Sequence, residues 1–455
     1  STQKLIIILQ FINKFLIYTL FLAFVSNYIS AQCWKDISCA GDHSLALRND
    51  GTLWEWGSGT VSPVQIGTDT NWASISDWSG HHLALKTDST LWLWGDNQKG
   101  QIGNGTLIGV ATPTQIGNNH WKMAATGSQA TYAIKSDGTL WSWGWNQFGQ
   151  LGDSSNINKS LPIQVGTANN WKIVKGGGGH ALAIKSDGSL WAWGWNLYGQ
   201  LGDGTNSNHN VPMQVGWDTD WKVIELGGRQ THALKENGTL WGSGYNTNGE
   251  VGDGTIVHKM AFVQIGFSNN WKTVRPGLHT IGIQTNNTLW AWGGNDKGQL
   301  GDGTFITRTQ PTLIGNDTNW LTAIASNQFS LALKTDSTLW SWGYNQYGQL
   351  GLGDTLDKLV PTYVQSECPA PLGINNFNTK QSPIHFYPNP ANGIINIDCK
   401  AVDSKSLLRV FDCVGHLVFS EIIAPQQQVI IDVSKFKKGV YFFVAGGTAT
   451  KVFIE

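Results

Sequence analysis

From Trp34 onward the chain alternates apolar and polar residues in short runs, as in His180-Ala-Leu-Ala-Ile-Lys185 and Ser189-Leu-Trp-Ala-Trp193. A period of two sends successive side chains to opposite faces of a strand, so these runs predict short β-strands. The pair Leu-Trp recurs seven times: Leu53-Trp54, Leu91-Trp92, Leu140-Trp141, Leu190-Trp191, Leu240-Trp241, Leu289-Trp290 and Leu339-Trp340. The spacings of 38, 49, 50, 50, 49 and 50 residues mark a repeat holding one small sheet per unit.

In the fourth unit, Trp171-Lys-Ile-Val174 is the first expected strand, His180–Lys185 the second and Ser189–Trp193 the third. The fourth is Pro162-Ile-Gln-Val165 or its later counterpart. Between the second and third strands stand Asp50-Gly51, Asp88-Ser89, Asp137-Gly138, Asp187-Gly188, Asn237-Gly238, Asn286-Asn287 and Asp336-Ser337. Asp-Gly and Asn-Gly tolerate positive φ and predict two-residue hairpin turns. These carboxylates are read as turn formers, not catalytic acids.

After each third strand a block follows, such as Asn146-Gln-Phe-Gly-Gln-Leu-Gly152, Asn196-Leu-Tyr-Gly-Gln-Leu-Gly202, Asn295-Asp-Lys-Gly-Gln-Leu-Gly301 and Asn345-Gln-Tyr-Gly-Gln-Leu-Gly351. Taken with His-x-x-Ala-Leu and Asp-Gly-x-Leu-x-x-Trp-Gly, the order resembles the regulator of chromosome condensation repeat. That resemblance implies an all-β fold, a seven-bladed β-propeller over residues 33–366. The first unit departs, because Gly57-Ser-Gly-Thr-Val-Ser-Pro63 lacks the block. Its blade is expected to carry a shortened loop.

Composition supports an array with an attached domain. Charged residues make up 13% and glycines number 55, which suits strands and tight turns. All 24 tryptophans lie between Trp34 and Trp342, so a boundary follows the last unit. Beyond a 367–381 linker, residues 382–455 read as a small β-sandwich of short alternating segments. Tyr387, Pro388, Asn389 and Pro390, Asp412-Cys-Val-Gly415, Gly439, Val440 and Tyr441, and Lys451-Val-Phe-Ile454 resemble the type A C-terminal sorting domain of the type IX secretion system. The resemblance implies the secretion machinery as a partner, removal of the tail, and release or attachment at the outer cell surface. On fold alone, a carbohydrate-binding sandwich is the alternative.

Residues 1–32 have the order of a signal peptide: Lys4 and Lys14, an apolar run from Phe15 to Val25, then small and polar residues around Ala31. An uncleaved anchor helix is the alternative reading. Export permits disulfides, and Cys33 and Cys368 flank the repeats, so a closed ring would bring them together. Cys399 and Cys413 form a second candidate pair, whereas Cys39 is expected to be a buried thiol.

The net charge of −1 and scattered Lys and Arg exclude a nucleic-acid footprint. His43, His81, His180 and His279 each precede the Leu-Trp tryptophan by 11 residues. They read as strand-start hydrogen bonders held apart by the blades, and no close His/carboxylate ligand set is visible, so neither a metal nor a cofactor is expected. Gly-Asp-Gly-Thr stretches lack the companions of phosphate or calcium loops. No nucleophile elbow is present.

Positions shared by all blades serve the scaffold, so specificity is sought where the blades disagree. Trp145, Trp195, Tyr245 and Tyr344 directly follow Trp-Gly or Ser-Gly, and Phe148, Tyr198 and Tyr347 lie three residues on. On one face these residues would form an aromatic rim for a protein or glycan ligand. Packing between blades is the alternative. The expected function is a secreted or cell-surface binding protein and not an enzyme. Guanine-nucleotide exchange, the activity of the family's namesake, and glycan-directed catalysis are the competing readings.

Overall fold

The computed structural model describes residues 34–365 apart from Ser79, together with 385–387, 391, 393–398, 406–412, 417–423, 428–445 and 448–454. The expected signal peptide, the linker, Pro388, Asn389, Pro390 and the cysteines at 33, 368, 399 and 413 lie outside these residues. The chain divides into two compact units near residue 370.

The first unit contains seven antiparallel sheets, each a meander of four consecutive strands. In blade 1 these are β1 (Trp34–Ala40), β2 (His43–Arg48), β3 (Leu53–Gly57) and β4 (Thr60–Ile66). First strands of neighbouring blades touch, and Trp320–Ala325 of blade 7 touches β1, so the ring closes with the first strands innermost. The later counterpart is the true fourth strand. His209–Gln214 completes blade 4, while Pro162 lies in Lys159–Gln164 of blade 3.

Burial explains the sequence pattern. Second strands have sheet neighbours on both edges and blades on both faces, and Gln230–Lys235 is buried at every position. Fourth strands form the rim, and Thr60–Ile66 has no fully buried residue. Six of these seven outer strands contain a proline: Pro63, Pro113, Pro162, Pro212, Pro311 and Pro361. Proline lacks the amide that would pair with another chain, so it suits an exposed edge.

Each Leu-Trp tryptophan packs edge-on against the tryptophan opening its blade's first strand, with centroids 5.8 to 6.3 Å apart. In six blades the basic residue ending the second strand lies over the Leu-Trp ring. Arg48 does so at 3.7 Å from Trp54 and Lys135 at 3.6 Å from Trp141. A cation is attracted to the ring face, so this arrangement stabilises each blade beyond its apolar burial.

The turns differ from the expected two-residue hairpin. Asn49 to Thr52 separate β2 from β3, and of these only Gly51 has a positive φ, 79°. Asp50 Oδ1 accepts hydrogen bonds from the Thr52 amide and hydroxyl at 3.0 and 2.6 Å. The Thr52 hydroxyl in turn accepts from Trp54 Nε1 at 2.8 Å. The carboxylate therefore forms the turn through its side chain, which releases its own backbone from a strained conformation.

The second unit is a two-sheet sandwich. One sheet pairs His385–Tyr387, Ile394–Asp398 and Gln428–Asp432; the other orders Leu417–Ile423, Ser406–Asp412, Gly439–Ala445 and Thr448–Ile454. Ile395, Ile397, Val410, Ile431, Phe443 and Val452 belong to its core. The strand His385–Tyr387 ends at Tyr387. Gly439, Val440 and Tyr441 open the strand that pairs with the last one, and Lys451 lies opposite Phe442. Tyr441 is buried and its hydroxyl donates to the Lys437 carbonyl at 2.9 Å.

Candidate functional site: an aromatic face of the propeller

In a four-stranded meander the connections after the first and third strands leave at one end of the sheet. The second-to-third turns and the blade-to-blade links leave at the other. All seven rim aromatics lie after third strands, so the fold assigns them to one face.

The repeat block makes these loops rigid. Asn146 is buried; its Oδ1 accepts from the Leu151 amide at 2.9 Å and its Nδ2 donates to Asp153 Oδ1 at 2.9 Å. Gln150 Oε1 accepts from the Phe148 amide at 2.9 Å. The aromatic residue before each Asn is tied to the first-to-second loop of its own blade. Trp145, Trp195 and Tyr245 donate backbone N–H to the carbonyls of Gln129, Gly179 and Arg229 at 2.8, 2.8 and 2.9 Å. Gly194, at φ 98°, allows this approach, because a Cβ there would lie 2.6 Å from the Gly179 oxygen.

Five of the seven aromatics join in one run. Trp145 meets Phe148 edge-on at 5.2 Å, and Phe148 stacks on Trp195 of the next blade at 5.4 Å and 18°. Trp195 contacts Tyr198 at 5.5 Å, and Tyr198 reaches Tyr245 of blade 5 at 5.1 Å. All five rings are half-buried. They pack between blades and also present surface. Trp145, Phe148, Trp195 and Tyr245 line a depression of about 790 Å³, with Trp78 and Arg229 among its other walls. Tyr344 and Tyr347 pair with each other at 6.1 Å on blade 7 and do not line it.

Three contributors went unpredicted. His258 stacks on Tyr245 at 5.0 Å, Trp78 enters from blade 2, and the exposed Arg229 guanidinium lies 5.6 to 5.9 Å from the rings of Trp195, Tyr198 and Tyr245. Arg229 stands where the other first-to-second loops have Asp42, Gly80, Gln129, Gly179, Leu278 and Gln328. That lone cation was a signal available to blade comparison. Among the described residues it has no carboxylate partner within ion-pair distance.

Below this face, near the axis, blades 4, 5 and 6 contribute Lys175, Glu225 and Arg275 from equivalent first-strand positions. Glu225 receives both cations, each at 3.0 Å. Cys39 is a buried free thiol, as expected, and burial raises its pKa.

The strand-start histidines behave as expected in three blades. His81, His180 and His279 are buried, and their Nε2 atoms lie 3.2, 3.0 and 2.7 Å from the hydroxyls of Thr131, Thr231 and Ser330 on the next blade. Those hydroxyls donate onward to carbonyls of Gln101, Gln200 and Gln299, so the histidines donate from Nε2. Burial lowers their pKa values to about 4, 3 and 3. His43 departs from the pattern: its ring lies 4.5 Å from that of His82 on blade 2. The expectation that blades hold histidines apart fails at this seam, where His43, Asp77 and His82 form a close His/carboxylate set.

Seven antiparallel meanders in a ring, with an aromatic loop face, define a β-propeller that presents a surface. Its units match the Regulator of chromosome condensation (RCC1) repeat over residues 88–134, 137–184, 187–234, 286–333 and 336–368, and a second description of that repeat over 123–150 and 171–200. The chain belongs to the RCC1 repeat family. Residues 385–454 match the Secretion system C-terminal sorting domain, which supports export through the type IX secretion system to the surroundings or the cell surface. Among solved structures, human WBSCR16 is 20% identical, with a TM-score of 0.60 over 68% of this chain and 86% of that one. Yeast RCC1 (Prp20), solved bound to Kap60, is 20% identical, with a TM-score of 0.63 over 75% and 86%. These likenesses show the fold. No curated protein matches the chain.

Proposed function

We propose that this is a secreted or surface-displayed binding protein that captures an extracellular protein or glycan in the aromatic depression and performs no chemistry there. The observation that carries the reading is the run Trp145, Phe148, Trp195, Tyr198 and Tyr245, crossing three blades beside the exposed Arg229. Half-buried rings held by scaffold hydrogen bonds offer contact area at little entropic cost, and they accept sugar rings or apolar side chains by stacking.

Glu250 is the one acidic residue lining the depression among the described residues. It is buried and holds the Asn248 amide at 2.8 Å. Glycoside hydrolysis needs two carboxylates at the substrate, so binding is the favoured reading over glycan-directed catalysis. Guanine-nucleotide exchange has no support beyond a fold shared at 20% identity.

The test is capture from native surroundings and on a glycan array, comparing the wild type with Trp145→Ala, Trp195→Ala and Tyr245→Ala. Loss of capture by folded variants supports the assignment. Undiminished capture by all three removes the site.

A further inference from the structure

The seam between blades 1 and 2 is built differently from the others. In five blades the second residue of the second strand is a hydroxyl that donates to the main-chain carbonyl of the preceding repeat's block. These bonds are Ser44 to Gln349, Thr131 to Gln101, Thr231 to Gln200, Thr280 to Glu250 and Ser330 to Gln299, at 2.7 to 2.9 Å. Blade 1 has no such block: Ser58 and Gly59 alone join β3 to β4. The carbonyl that blade 2 would need is absent, and His82 occupies the hydroxyl position.

Two more substitutions meet there. Asp77 stands where other first strands carry Cys39, Thr126, Gly176, Leu226, Pro276 or Ala325. Glu55 is the one charged residue between the tryptophan positions of the third strands. Asp77 is almost wholly buried, its side chain 1% exposed. Its two oxygens lie 3.2 Å from His43 Nδ1 and 2.9 Å from His82 Nδ1. Glu55 Oε2 lies 3.5 Å from the other nitrogen of His43.

We propose that His43, Asp77 and His82 bind a divalent first-row transition ion of the zinc class. The donor atoms all lie within 4.8 Å of one another. Ligands at about 2.0–2.1 Å from a tetrahedral ion stand roughly 3.3 Å apart, so small side-chain shifts suffice. Two imidazoles and one carboxylate favour zinc, nickel or copper over magnesium or calcium. Glu55 accepts the Nε2 proton of His43 and thereby points Nδ1 at the ion, the usual outer carboxylate of a metal-bound histidine. Imidazole and carboxylate bind such an ion in their deprotonated forms, so affinity rises with pH.

The experiment uses the untagged full chain, stripped with EDTA and titrated calorimetrically with ZnCl₂, alongside Co²⁺ loading followed in the visible spectrum. We expect about one equivalent bound at micromolar concentration and tetrahedral Co²⁺ bands. Asp77→Asn and His82→Ala should each weaken binding at least ten-fold, and Glu55→Gln roughly ten-fold. The Co²⁺ spectrum of the wild type decides the matter even if both ligand variants misfold. No uptake by the wild type at micromolar zinc, an octahedral aqueous-type Co²⁺ spectrum, or wild-type affinity in a folded Asp77→Asn variant would overturn the proposal and leave the cluster as a hydrogen-bonded plug.

Discussion

The indole Nε1 of Trp56 donates to the main-chain carbonyl of Gln349 at 2.9 Å, across 293 residues of sequence. The same bond recurs at internal seams, from Trp143 to Gln101 at 3.0 Å and from Trp193 to Gln150 at 2.8 Å. Blade 1 is made wholly of N-terminal strands, so no strand exchange closes the ring. Closure rests on repeat-to-repeat contacts of this kind.

Trp56→Phe should therefore lower stability by about 1 kcal/mol, the net value of one hydrogen bond. Trp56→Ala, which also opens a cavity, should cost about 3–5 kcal/mol. Urea unfolding of the two variants checks the ordering.

The buried histidines make the propeller acid-sensitive. His81, His180 and His279 have folded pKa values depressed by burial to about 4, 3 and 3, against about 6.5 when unfolded. Below pH ~6.5 the unfolded chain binds protons that the folded one refuses, so stability falls as pH falls. Each histidine steepens that decline by about 1.4 kcal/mol per pH unit. His180→Gln keeps a donor of the kind Gln230 provides at the equivalent position, where its Nε2 donates to Gly277 at 2.7 Å. Its urea midpoint should change less between pH 7 and pH 5 than that of the wild type.

His43 titrates in the opposite sense in metal-free protein. Burial opposes a charge on His43, but hydrogen bonds to Asp77 and Glu55 outweigh it and raise the pKa to about 10. Stability from this group is complete below about pH 6.5 and is lost as pH rises through about 10. The His43 ring signals in NMR should still report imidazolium at pH 8. Early deprotonation would contradict the geometry.

Glu225 pairs with two cations near the axis. Glu225→Gln leaves Lys175 and Arg275 facing each other and should cost roughly 1–3 kcal/mol, given their partial exposure. Thermal unfolding in low and high salt measures it, and salt should narrow the gap.

For the aromatic face, Phe148→Ala removes the ring between Trp145 and Trp195 and should weaken partner capture at least ten-fold. Tyr347→Ala, outside the depression, should leave capture intact. Affinity measurement on the captured partner distinguishes them.

Strand positions, repeat number, the short first-blade loop and the sandwich strands were legible because each rests on a local rule. Alternation, Gly at positive φ and side-chain turn formation act within a few residues. The aromatic run was partly legible, since comparing blades marked its members. Tyr344 and Tyr347 carried the same local mark yet lie elsewhere on the ring, while Arg229 entered from a first-to-second loop and His258 from the far end of the connection that carries Tyr245.

The sequence by itself determined that seven Trp-anchored sheets form and that an all-β sorting tail follows. Each repeat carries its own turn residues and its own tryptophan pair, so these outcomes need no distant partner. Only the tertiary structure decided which side chains meet across seams: Phe148 with Trp195, and His43 with Asp77 and His82. The reason is physical. A blade cannot bury both faces alone, so the chemistry at a seam depends on the loop its neighbour brings, and a missing block in one repeat is answered by new residues in the next.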